Sequence, residues 1–173
     1  MQRIKHNYQF NLIRGAIELL PEKVKPYLDQ VDFVVDYNPY WLGYNPPKAI
    51  KDGRSYLNTC HCVWSWNTPD NKPVIFLYSE NLRLYDNPSE VIWHEIGHAI
   101  HEQLDLFTCD WIGITNYEKQ DWDWWGCECF ACSFERWLFK DRQVDDWENN
   151  QEMQRKYDKR PIEFFNNLFG KLN

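Results

Sequence analysis

The residues Asn87-Pro88-Ser89-Glu90 open a helix in which His94-Glu95-Ile96-Gly97-His98 repeats histidine at one-turn spacing, and no other segment constrains this chain as tightly. Asn87 is a good N-cap, Pro88 suits the first helical position, and Glu90 can close a capping box. A helix running to about Leu104 is therefore expected. At 3.6 residues per turn His94 and His98 stand one above the other, so two imidazole nitrogens can converge on one ion. Glu95 lies about a quarter-turn away, within reach of a water on that ion. Without a metal, two stacked histidines flanked by Trp93, Ile96, Ile100 and Leu104 would sit near an apolar face with little to bond to, which costs free energy.

Two ligands do not complete such a site. A third histidine six residues beyond His98 would make a metzincin, but that position is Leu104. His101 is two turns from His94, about 10 Å along the axis, and cannot close one tetrahedron with both histidines. It reads as a supporting or surface group. Glu128, on the next strong helical pattern (about Trp124 to Lys140), is the better third ligand, because a carboxylate from a second helix completes the His₂Glu set and leaves a position for water.

Around these residues the chain resembles a known family. Trp93 to Ile100 (W-H-E-I-G-H-A-I), followed some thirty residues later by Glu128, Ala131 and Phe134 (E-x-x-A-x-x-F), is similar to the small gluzincin metallopeptidases, including the minigluzincins and the ImmA/IrrE-type enzymes of phages and bacteria. The resemblance covers roughly Val74 to Leu138. It implies a zincin-like fold, a Zn²⁺ ion held by His94, His98 and Glu128, Glu95 as general acid/base, a peptide or protein substrate, and hydrolysis by an activated water. In the family an Asp or Asn often stands four residues after the third ligand and orients a liganding imidazole; here that position is Cys132. A donor for the tetrahedral intermediate is also needed, and Tyr117 is the first choice, with His61 and Tyr85 behind it. The alternative to an enzyme is a catalytically silent zinc module whose groove binds a peptide without cutting it; Glu95 favours the enzyme, since binding alone does not need that carboxylate.

The rest of the chain is expected to support this nucleus. Asn11 to Leu20 carries a helical apolar stripe ended by Pro21. Strand signals cover Val31 to Tyr37, about Ser55 to Trp66, and Val74 to Tyr78, which together suggest a short antiparallel sheet with Val74 to Tyr78 as the edge to which a peptide could add. Further helical segments fall near Asp145 to Tyr157 and Pro161 to Leu168. The expected class is α+β, one domain over residues 1–173 with an N-terminal helix and a C-terminal helical extension. The aromatic loop Asn38 to Lys48 and the C-terminal helices are candidate covers for the site, and Trp122, Trp124 and Trp125 read as core cover rather than cleft wall.

Charge narrows the partners. With 19 Lys+Arg against 26 Asp+Glu, a net charge of −7 and no basic block, nucleic acid and anionic membrane are not expected partners. The first twenty residues lack an uninterrupted apolar stretch, and no run reaches the roughly 18 residues of a membrane span, so a cytoplasmic protein is expected. In that compartment the six cysteines (60, 62, 109, 127, 129 and 132) should be thiols or metal ligands rather than disulfides. A Cys₄ zinc from Cys60, Cys62, Cys129 and Cys132 is stereochemically conceivable, though buried core thiols are the simpler reading.

Overall fold

A computed structural model describes residues 7–36, 59–65, 68–104, 122–139 and 160–171. Tyr117, the loop 38–48, the segment 145–157, and the side chains of Trp122, Trp124, Trp125 and Cys129 lie outside the described set. The described chain runs α1 (Asn7–Glu18), a 3-10 turn (Lys25–Gln30), β1 (Asp32–Val35), β2 (His61–Val63), β3 (Val74–Leu77), α2 (Ser79–Leu82), α3 (Pro88–Gln103), α4 (Trp122–Phe139) and α5 (Arg160–Phe169). Mixed helices with a small three-stranded sheet make it α+β, and no described helix is long and apolar enough to cross a membrane.

The sheet differs from the antiparallel expectation. Its order is β1-β3-β2, with β3 parallel to β1 and antiparallel to β2. Parallel pairing needs a crossover of a dozen or more residues, and the chain between Val35 and Val74 is long enough to supply one. β3 is consequently central, flanked on both sides, and is not the edge strand that the sequence suggested. Its residues are buried throughout: Ile75 and Leu77 join the main core, while Val74, Phe76 and Tyr78 form a second cluster with Val63 on the opposite face. An unbroken apolar run such as Val-Ile-Phe-Leu-Tyr is what a strand covered on both faces requires.

α3 is the hub. Its start is capped as expected, the Asn87 side chain accepting from the Ser89 amide at 3.2 Å. Ile92, Ile96, Ala99 and Ile100 are fully buried against the sheet and the other helices. Trp93 ties it to α1 through an indole N–H to the Ala16 carbonyl (2.9 Å), and Gln103 donates to the Tyr27 carbonyl (2.9 Å). Its widest contact is with α4. There Gly97 decides the spacing: a Cβ at this position would lie 2.8 Å from the Ala131 Cα, so only glycine lets the two backbones come this close. Opposite the site, Phe130, Phe134 and Trp137 of α4 pack on Phe165 and Phe169 of α5, and the Trp137 indole donates to Asn166 (3.0 Å).

Two histidines outside the motif are core residues. His61 donates from Nδ1 to the Thr59 carbonyl (2.8 Å) and stacks on Phe76 and Tyr78. His101 is 3 % exposed, against Trp64 and Phe130, which corrects its reading as a surface group. Desolvation lowers both, to about 4, the Thr59 carbonyl partly opposing this for His61 and the charge of His98 adding to it for His101.

Gly97→Ala should therefore destabilise the fold by about 1–3 kcal/mol despite alanine's better helix propensity, measured by denaturant unfolding. A methyl that left stability equal or higher would show that the helices part without cost. For His61, a folded pKa below the unfolded value means that its contribution is complete above about pH 6.5 and is lost as pH falls toward 4. Stability should decline across that window, and His61→Phe should flatten the decline by on the order of 3 kcal/mol, read from unfolding curves at each pH.

Candidate metal centre

The contacts between α3 and α4 run in opposite senses. His94 meets Glu135, Gly97 meets Ala131, and His98 meets Glu128. One face of α4 thus presents Glu128, Cys132 and Glu135, at i, i+4 and i+7, to the histidine face of α3. The close crossing at Gly97 carries this face to within bonding distance of the imidazoles.

Three residues close on one another through four donor atoms, two imidazole nitrogens and the two oxygens of one carboxylate. His94 Nε2 and His98 Nε2 are 3.2 Å apart, His94 Nε2 is 3.3 Å from Glu128 Oε2, and His98 Nε2 is 3.3 Å from Glu128 Oε1. A tetrahedron with arms of about 2.0–2.1 Å has edges of about 3.3–3.4 Å. Each of these contacts is about one such edge long, so the predicted trio His94, His98 and Glu128 is brought together as a triangle of side chains. The His94 and Glu128 side chains keep 21 % and 27 % of their surface exposed, which leaves the centre open to solvent.

The other ring nitrogen shows why a cation suits this place. His94 Nδ1 lies 3.3 Å from Glu135 Oε2 and 3.9 Å from Cys132 Sγ. A carboxylate only accepts, so it holds the imidazole proton on Nδ1 and leaves the Nε2 lone pair aimed at a second carboxylate, Glu128. Acceptor against acceptor is repulsive unless a positive charge sits between them. Burial disfavours protonated His94, but Cys132, Glu128, Glu135 and the nearby charge of Glu95 outweigh it and raise its pKa. Burial likewise pushes Glu128 up, yet the bonds and charges of both histidines hold it below the ordinary carboxylate range. The donor set is anionic and pre-assembled.

Glu135 is the residue that motif reasoning missed. It stands one turn beyond Cys132, on the same face, and occupies the orienting position that Cys132 could fill only weakly. Its signal in the sequence was the heptad spacing from Glu128, which places both carboxylates on one side of a helix.

Glu95 is buried and beside the triangle. Its carboxylate accepts a bond from the Cys62 backbone amide of β2, and it feels His94, His98 and Glu128 electrostatically. Burial raises its pKa above the usual carboxylate value, the two histidines and the Cys62 amide opposing the rise and Glu128 adding to it. The other donor candidates fall elsewhere. His61 pairs with Phe76 and faces the second cluster, across the sheet from α3, while Tyr85 is 41 % exposed ahead of the helix.

Cysteines of the described set are thiols: Cys60, Cys62, Cys127 and Cys132. Cys60 is in the core, where it takes the Tyr78 amide (3.3 Å) and burial pushes it up to about 12. Groups that could hold a metal ion among the described residues instead combine Cys132 with His94 and Glu128, and Cys127 with His98 and Glu128. Compared with family models, with curated proteins and with solved structures, the chain finds no match in any of the three.

In the metal-free protein His94 should titrate above its ordinary 6.5, and Glu135→Gln should move it down, followed by NMR of the imidazole nitrogens. An unchanged titration in this variant would mean that Glu135 does not govern the ring.

Proposed function

We propose that the chain is a zinc-dependent metallopeptidase of gluzincin type with a zincin-like active site. The observation that carries this reading is the set of 3.2–3.3 Å contacts joining His94, His98 and Glu128, with buried Glu95 alongside. Zn²⁺ held by those three residues would supply Lewis-acid polarisation of a peptide carbonyl and a bound water of lowered pKa. Glu135 keeps the His94 proton on Nδ1, so that Nε2 is the liganding atom. Glu95, anchored by the Cys62 amide, takes a proton from the attacking water and delivers it to the leaving amine. Its raised pKa brings it nearer neutral pH, where a carboxyl that must both accept and return a proton works best.

The same Cys62 amide bears on the substrate. Being turned to Glu95, it places the outer edge of β2 beside the catalytic carboxylate, and an extended peptide laid along that edge would bring its backbone to the site. β2 therefore takes the role that the sequence had suggested for the central strand. A peptide or protein is the substrate class that such an edge favours.

The test is zinc stoichiometry with cleavage of a peptide library. Wild type should hold one zinc at the triad and cut, and Glu95→Gln should hold zinc but lose turnover by about 10²–10⁴-fold. A protein that keeps its zinc and cuts nothing is instead the silent binding module, and one that retains no zinc at neutral pH is neither.

A further inference from the structure

Beyond the three ligands, thiols crowd the same centre. Cys127 Sγ lies within 4.8 Å of a ring nitrogen of His98 and of a Glu128 carboxylate oxygen, and Cys127 is buried. It is next in sequence to the carboxylate ligand, so the backbone that delivers Glu128 to the centre delivers Cys127 too. Cys62, whose amide holds Glu95, feels the charges of Glu95, Glu102 and Cys127, so β2 has both the carboxylate of α3 and the thiol of α4 in its neighbourhood. A water bound between His98 and Glu128 would have the Cys127 sulfur as a neighbour.

Cys132 is arranged differently. Its sulfur is 3.9 Å from His94 Nδ1, the nitrogen facing Glu135 and not the triangle. Cys132 also groups within 4.8 Å with His94 and Glu128, but it meets His94 on the Glu135 side and is half-buried, whereas Cys127 is buried beside His98.

Resting on the zinc reading above, we propose that Cys127 is a fourth, displaceable ligand, giving a resting centre of His94, His98, Glu128 and the Cys127 thiolate. On coordination the Cys127 S–H bond breaks, its proton leaves to solvent, and a metal–sulfur bond forms, with no change of oxidation state. When water takes that position the thiolate is reprotonated and the centre regains its open, hydrolytic form. Because thiolate is the softest donor present, the centre so closed prefers thiophilic ions over hard ones. The chain carries its own latch on catalysis in this arrangement, one residue from the ligand it accompanies.

X-ray absorption on the zinc-loaded full chain should find one sulfur at about 2.3 Å beside nitrogen and oxygen donors at about 2.0–2.2 Å. The cobalt-loaded protein should show a sulfur-to-metal charge-transfer band in the near ultraviolet, absent from Cys127→Ser and kept by Cys132→Ser. Cys127→Ser should also weaken zinc binding by on the order of tenfold or more while raising peptide turnover. Bound zinc with only nitrogen and oxygen neighbours would overturn the latch and leave the peptidase reading standing. A band that disappears with Cys132→Ser and survives Cys127→Ser would overturn the assignment to Cys127. Failure to bind either metal would overturn the zinc reading itself. The absorption measurement on wild type decides the point even if a serine variant does not fold.

Discussion

The site depends on one close approach between two helices. Gly97 lets the α4 backbone come so near α3 that a single methyl would meet the Ala131 Cα at 2.8 Å. One turn on one side of this contact, Glu128 reaches His98; one turn on the other, Glu135 reaches His94. Any wider separation of the helices would pull both carboxylates back from both imidazoles at once. The glycine inside the histidine motif is thus a packing residue whose effect is electrostatic, and interiors this dense leave little slack for it to be anything larger.

What holds the helices in that register is built away from the site. On the far side of α4, Phe130, Phe134 and Trp137 are locked against Phe165 and Phe169, and on the far side of α3 the sheet presses Ile75 and Leu77 against its isoleucines. Apolar burial of this kind has no direction, but it is strong enough to hold polar groups in positions they would not choose alone. Two carboxylates and two imidazoles facing one another is such a position. Its tension is relieved by a cation, and the raised pKa of His94 expresses the same demand in terms of a proton.

The open side of the centre is furnished by β2. Cys62 gives its amide to Glu95 and feels the charge of Cys127 on α4. Of the sheet, β2 meets the centre through the Cys62 amide, and the central strand contributes burial. In the small-gluzincin comparison the departure at Cys132 looked like a missing orienting group. With Glu135 beside His94 Nδ1, a carboxylate one turn further along α4 stands where that group was missing.

Much of this could be read from the chain alone. Asn87-Pro88 and the spacing of His94, Glu95 and His98 specified a capped helix with a ligand face, because capping and 3.6-residue periodicity are local properties. Glu128 followed from a carboxylate on the next helical pattern. The partner of β3 did not follow: strand order is set by which apolar faces meet, and Val74 to Tyr78 needed cover on both sides that an edge could not give. Nor did Glu135 or Cys127 announce themselves, since their importance lies in the angle and distance at which α4 crosses α3. Sequence determined which residues could bind a metal; only the crossing at Gly97 and Ala131 decided which of them share one point in space, because contact between helices is fixed by packing and not by spacing along either chain.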